Sequence, residues 1–229
     1  MWRRAASPLS GDARRVFRKA VEDMTASWGW ELANQARNRI PDPIDYVETR
    51  RRTFGSDMTM SLARITHLTE VPSELFGTRT LRELETAAQD YACFANDLFS
   101  YQKEIEFEGE LHNMVLVVEH FLGLDRLAAR DVVNDLMMAR MQQFEHILAT
   151  DLPQLFEDAE LDQPARDAFL RHADELKDWM SGILEWHRQC VRYTEPELKR
   201  LITPAAPAFP AGLGMSARRL ADRFRGASA

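Results

Sequence analysis

In 96-NDLFSYQKE-104 an amide, a hydroxyl and a carboxylate recur at steps of four residues. In an α-helix each such step advances 400°, so Asn96, Ser100 and Glu104 drift by only ~40° apiece and share one face, about 6 Å apart along the axis. Helical side chains lean toward the N-terminus, and the longest of the three belongs to the most C-terminal residue. Glu104 can therefore reach back while Asn96 stays short, and three oxygens can converge. All three are hard donors of the kind Mg²⁺ or Mn²⁺ takes, and none is the sulfur or imidazole that zinc or copper favours. One carboxylate leaves a divalent cation under-neutralised, and water and phosphate would complete the six oxygens of Mg²⁺. Lys103, one position off the face, could grip the same phosphate as a point charge. The competing reading is an ordinary amphipathic helix whose solvated polar residues happen to line up.

Helical periodicity dominates the rest of the chain, and the β-branched alternation of strands is nearly absent, so the fold class is all-α. Ser10-Gly11-Asp12 starts a helix that runs to about Arg37, and Pro41 and Pro43 end it. Ile44 to His67 reads as a second helix, weakened at Thr53-Phe54-Gly55-Ser56, where Gly55 and two hydroxyl residues disturb the ladder. Thr80 to Glu108 is the longest clean pattern, with Thr80 and Glu83 as a capping box and Gly109 as its stop, and it carries the NDLFSYQKE stretch. An apolar helix over 112–123 and an amphipathic one over 128–148 come next. Pro164 to Tyr193 supplies the last long helix, on which Trp179, Trp186 and Tyr193 recur every seven residues and line one side. The Pro/Ala/Gly-rich stretch 203–214 reads as a linker.

Composition narrows the function classes. A net charge of -7 without a sustained basic stripe argues against nucleic acid as a partner and disfavours a helical nucleic-acid regulator, which salt-sensitive DNA retention would be needed to revive. Two cysteines, Cys93 and Cys190, are too few for a disulfide framework and lack a zinc pattern, which fits reduced thiols in a cytoplasm. No apolar run approaches the ~18 residues of a membrane span, and 1-MWRRAASPLSG-11 lacks the apolar centre of a secretion signal. Asn134-Asp135 repeats the Asn-Asp opening without a following Ser, Asp42 and Asp45 read as caps of a turn, and the scattered histidines form no metal-binding pair.

NDLFSYQKE resembles the N-D-x-x-S-x-x-x-E metal motif of class I terpene synthases. The segments EIEFEGELHNMVLVVEHFLG and NDLMMARMQQFEHIL look very like the germacradienol/geosmin synthase group of bacterial sesquiterpene cyclases. The similarity runs from Trp2 to about Leu220, through 45-DYVETRRRTFGSDMTMSLAR-64 and 177-KDWMSGILEWHRQCVRYTE-195. It ends in 210-PAGLGMSARR-219, which is similar to the tail of that group's N-terminal, germacradienol-forming half. This resemblance implies a class I terpenoid synthase helical bundle around an apolar cavity, with farnesyl diphosphate as substrate and three Mg²⁺ ions on its diphosphate. It implies that Asn96, Ser100 and Glu104 ligate one ion and that Lys103 contacts diphosphate. Arg192-Tyr193 matches the family's Arg-Tyr pair, whose Arg donates to the diphosphate on closure. Arg50, 46 residues before Asn96, matches the diphosphate-sensing Arg, and the break at Thr53 to Ser56 matches the kink that passes the signal on. The implied chemistry is ionisation of an allylic C–O bond, with metal, Lys and Arg stabilising the leaving diphosphate in a pocket closed to water. Trp179, Trp186, Phe94 and Phe54 could stabilise the carbocation through their ring faces, but plain helix packing is the better reading of each, and none is assigned a catalytic role.

The family also carries an aspartate-rich D-D-x-x-D/E motif, and this sequence contains no adjacent pair of aspartates. Trp2-Arg3-Arg4-Ala5 resembles the family segment shortly after that motif. The expectation is a synthase domain lacking its first helices over residues 1–200, followed by a linker and basic tail over 201–229. Such a chain would hold one of three metal sites and expose apolar faces that invite association. It would have little or no cyclase activity alone. Its expected ligands are farnesyl diphosphate and inorganic diphosphate, and the alternative is a non-catalytic helical protein that binds a prenyl diphosphate or a partner chain.

Overall fold

The structure is a computed structural model, and it describes residues 6–7, 9–65 and 73–202. The end of the expected second helix at His67, the segment Trp2 to Ala5, and the linker and tail over 203–229 lie outside the described residues. Among the described residues there is no strand, and no helix is long and apolar enough to cross a membrane.

The first helix, α1 (Gly11–Arg37), begins where the sequence predicts, because the Ser10 hydroxyl accepts the otherwise unpaired Ala13 N–H. It ends at Asn38, which takes the left-handed conformation (φ 52°) ahead of both prolines, so Pro41 and Pro43 do not terminate it. Asp42 caps α2 (Pro43–Thr53) by accepting from Ile44 N, with Pro43 in the first helical position, where its missing N–H costs nothing. The predicted break is present: Phe54 and Gly55 separate α2 from α3 (Ser56–Ile65). Gly55 has φ +86°, and a Cβ there would lie 3.2 Å from Met24 Sδ on α1, so both conformation and space call for glycine.

After a short 3₁₀ turn (Ser73–Gly77) comes α4 (Arg79–Tyr101). Its cap corrects the expected capping box. Thr78, not Thr80, accepts from Leu81 N, and Glu83 pairs instead with Arg79 one turn back on the exposed side. The helix does not stop at Tyr101 but widens into a π-helical segment, Gln102–Glu108, which Gly109 ends at φ 64°. Two further helices, α5 (Met114–Leu122) and α6 (Arg126–His146), lead through a second π turn (Ile147–Asp151) to α7 (Leu152–Asp158). The final long helix, α8 (Gln163–Gln189), stops short of the predicted end. Cys190 is extended, and Val191–Tyr193 forms a separate 3₁₀ turn before α9 (Glu195–Ile202). Tyr193 therefore leaves the helix that carries Trp179, although its ring still meets Trp186 edge-on at 6.2 Å.

α4 is the axis of the bundle. From Leu81 to Ala95 nearly every residue is buried, on all sides rather than along one stripe, because α2, α5, α6 and α8 surround it. Phe94 belongs to this core and Trp179 packs against it, the plain packing role, whereas Trp186 is half exposed. Burial on all sides forces polar residues of α4 to find partners inside the protein. Three carboxylates do so in antiparallel order against α2 and α3: Asp97 with Arg50, Asp90 with Arg51 and Glu85 with Arg64. Asn134 and Asp135 lie on the exposed side of α6, as a plain surface reading requires.

Candidate metal and diphosphate site

The C-terminal end of α4 is organised around Asp97, which is fully buried. Tyr46 Oη and Met114 N–H donate to its Oδ2 at 2.6 and 3.0 Å, and Arg50 donates to Oδ1 through Nε (3.2 Å) and Nη2 (2.7 Å). One carboxylate thus ties α2, α4 and α5 together with all its acceptor capacity used. The α2 guanidinium is thereby aimed at the adjacent residue, and Arg50 Nη2 also donates to Asn96 Oδ1 at 2.7 Å. Charge-assisted contacts of this length are the strong class of hydrogen bond.

Asn113 gathers the other two motif oxygens. Its Oδ1 caps α5 by accepting from Val115 N (2.9 Å), which leaves Nδ2 pointing back at α4. Nδ2 donates to the Asp97 carbonyl at 3.0 Å and to Glu104 Oε2 at 3.0 Å, and reaches Ser100 Oγ at 3.5 Å. The Ser100 hydroxyl also bonds Glu104. Burial pushes the Glu104 carboxyl up from its ordinary range, and the positive Arg50 and the bonds from Asn113 and Ser100 offset only part of that. Ser100 and Glu104 therefore converge as the helical spacing requires, although Glu104 sits in the wide π segment rather than in α-helix proper.

Tyr193 closes the site from the C-terminal side. Asn96 Nδ2 lies 3.5 Å from Tyr193 Oη and 2.9 Å from His187 Nε2. Burial pushes the Tyr193 hydroxyl up to about 12 and the His187 imidazole down, so both are neutral at pH 7. The other two predicted contacts make no hydrogen bond to the motif oxygens among the described residues. The Lys103 ammonium is buried against Glu108 at 2.6 Å, five residues on, the spacing that one π turn aligns. Arg192 is exposed, with its guanidinium 5.9 Å from the centre of the Tyr193 ring.

The residues present fit a hard divalent cation. Three side chains with hard oxygen donors recur at steps of four residues, two of them within reach of a single donor atom, Asn113 Nδ2. The third, Asn96, has its oxygen on the Arg50 guanidinium. The open groove of about 310 Å³ between α1, α3 and α4 is a different place. It is bordered by charged residues such as Asp57, Arg64, Arg82 and Glu85, and none of the motif residues lines it.

Residues 1–143 match terpene synthase family 2, C-terminal metal binding. The chain belongs to the class I terpene synthases. This terpene synthase chain is 35% identical over 195 residues to (-)-delta-cadinene synthase of Streptomyces clavuligerus, covering 82% of the chain and 57% of that protein. It is 30% identical over 192 residues to sesquiterpene synthase 1 of Postia placenta, covering 84% and 54%. It therefore spans about half the length of these relatives. Among solved structures it is similar to linalool/nerolidol synthase from Streptomyces clavuligerus in complex with 2-fluorogeranyl diphosphate. The TM-score there is 0.72 at 26% identity, covering 82% of this chain and 63% of that one.

Sequence reasoning assigns no role to Tyr46, Asp97, Asn113 or His187, all of which touch motif residues or Arg50 in this terpene synthase chain. Asp97 stands inside the motif and could have been found there. Asn113 had a weaker signal, a polar residue just ahead of an apolar run, the pattern of a helix cap. His187 had none, because 91 residues separate it from Asn96 and only the packing of α8 on α4 joins them.

Proposed function

We propose that this chain supplies the metal-binding part of a Mg²⁺-dependent sesquiterpene cyclase acting on farnesyl diphosphate, of the germacradienol/geosmin type. In this reading residues 1–200 form the synthase domain and 201–229 a linker and basic tail. Asn96, Ser100 and Glu104 hold one Mg²⁺, which when bound supplies charge stabilisation to the diphosphate leaving group. Arg50 binds and senses the diphosphate, because its Nη1 makes no hydrogen bond among the described residues while Nε and Nη2 stay anchored on Asp97 and Asn96. Lys103 must exchange Glu108 for the diphosphate, and Arg192 with Tyr193 folds over the site on closure. The observation that carries the reading is that Ser100 Oγ and Glu104 Oε2 both lie within reach of Asn113 Nδ2, with the Arg50-bound Asn96 one turn before Ser100 on the same helix, in a chain that matches a family described as C-terminal metal binding.

The lack of any adjacent aspartate pair in the sequence leaves the other metal ions without their usual carboxylates, so the chain alone is expected to bind pyrophosphate with metal but turn over little farnesyl diphosphate. Exposed Phe121, Leu122 and Leu127 at the α5–α6 junction offer an apolar patch for association. The test is calorimetric titration of Mg²⁺ with pyrophosphate into the wild type and Glu104→Gln. Metal-dependent binding that the substitution abolishes is expected, and binding indifferent to it would remove the motif's role. Pyrophosphate binding that needs no metal would favour the non-catalytic diphosphate-binding alternative.

A further inference from the structure

Asparagine presents an oxygen and an NH₂ group of almost the same shape, and only its neighbours decide which way the amide faces. For a metal ligand the choice is decisive, since the NH₂ end cannot coordinate. The contacts around Asn96 come from two sides: Arg50, a pure donor, from α2, and His187, from α8, with Tyr193 beyond it.

His187 is itself oriented. Its Nδ1 lies 2.7 Å from the Ile183 carbonyl oxygen one turn back, and a carbonyl only accepts, so the ring proton sits on Nδ1 and Nε2 presents its lone pair. That lone pair faces Asn96 Nδ2 at 2.9 Å. The ring is clamped between flat neighbours. Tyr193 stacks on it at 5.6 Å and 3°, Trp186 meets it edge-on at 4.7 Å, and Phe99 lies 5.3 Å away. It is 4% exposed, so water offers no alternative partner. Turning the Asn96 amide over would set donor against donor at Arg50 and acceptor against acceptor at His187.

We infer that His187 is a positioning residue: it holds the NH₂ end of the Asn96 amide toward α8 so that Oδ1 faces the cation site. The inference rests on the proposed metal site and adds a residue to it. Arg50 holds the oxygen end of the amide while His187 and Tyr193 hold the NH₂ end, so the amide is fixed from both sides. The orienting partners of metal ligands typically change affinity 10–100-fold when lost.

Two substitutions in the full chain separate orientation from packing. His187→Phe keeps a flat ring for Tyr193 and Trp186 but removes the lone pair, and His187→Gln restores an acceptor of similar reach. With pyrophosphate present, Mn²⁺ binding followed by electron paramagnetic resonance is expected to weaken at least about tenfold in His187→Phe and to recover most of that loss in His187→Gln. Nitrogen-edited NMR of the metal-free protein reads the amide directly. The wild type and His187→Gln should show two well-separated Asn96 NH₂ protons, which approach each other in His187→Phe. Unchanged Mn²⁺ affinity in His187→Phe, or equal weakening in both variants, would overturn the inference. If the wild type takes up no Mn²⁺, the proposed function fails, and the NMR arm still decides whether His187 orients the amide.

Discussion

Asp90 and Asp97 lie two turns apart on α4, both almost without solvent contact, and each is gripped by an arginine of α2. The Asp90 cluster is charge against charge. Arg51 binds both its oxygens at 2.6 and 3.0 Å, and Arg140 from α6 adds a contact at 3.0 Å. Two cations around one anion hold three helices together, and both arginines keep part of their side chains in water, 21% and 36% exposed. The Asp97 cluster has one guanidinium, 11% exposed, and fills its remaining valences with a phenol and a backbone N–H. Its single arginine is shared with Asn96. The first cluster is saturated and has nothing to release. The second divides one cation between a structural carboxylate and a candidate metal ligand, which couples the fold to the site.

Substitution can break this contrast. Asp97→Asn strands the buried Arg50 charge and sets an amide among donors, so a loss of about 4 kcal/mol in denaturant unfolding is expected. In the folded fraction, Mg²⁺–pyrophosphate affinity should fall with it. Asp90→Asn should cost less, about 3 kcal/mol, because Arg51 and Arg140 can turn to water, and should leave the calorimetric titration unchanged. An equal loss of metal affinity in both variants would show that the two clusters do not differ in kind.

Glu85, a third carboxylate on α4, sharpens the structural end of the series. Burial raises its pKa, but hydrogen bonds from Arg64 and His172 outweigh that and hold it below the ordinary carboxylate range. Its contribution is therefore present above the unfolded pKa of about 4.3 and is lost as pH falls through the folded value. Glu85→Gln is expected to cost about 2 kcal/mol at pH 7, reduced from the fully buried case by the partial exposure of Arg64, and the gap to wild type should close under acid. Gly55→Ala, at the joint that follows Arg50 and Arg51, should cost about 1 kcal/mol by thermal melting and lower pyrophosphate affinity slightly.

Much of the frame was legible because helices announce themselves locally. Ser10, Asp42 and Gly109 mark ends through chemistry that acts within a turn, and the Phe54-Gly55 break falls where Gly55 weakens the helix. Thr78 is easily mistaken for Thr80 because two threonines stand within three residues and only the geometry of the preceding turn chooses between them. The far end of α8 reads too long because nothing in the hydrophobic period signals that Cys190 turns extended. For the site, the recurrence of Asn96, Ser100 and Glu104 at steps of four residues is a matter of spacing and is legible in the sequence itself. The partners of these oxygens come from other helices, and the same spacing says nothing about Lys103 turning to Glu108 or Asn113 reaching back across the α4–α5 connection.

The widened helix at Gln102–Glu108 has a consequence for counting. Each ring of a π segment closes over five residues instead of four, so it behaves as a one-residue insertion that never leaves the helix. Wound at the tighter α-helical pitch, the same number of residues would swing the downstream chain by ~100°. Asn113 would then be carried off Glu104, and Met114 N–H off Asp97. The aim of the carboxylate is thus written into the number of residues in this turn as much as into their kinds.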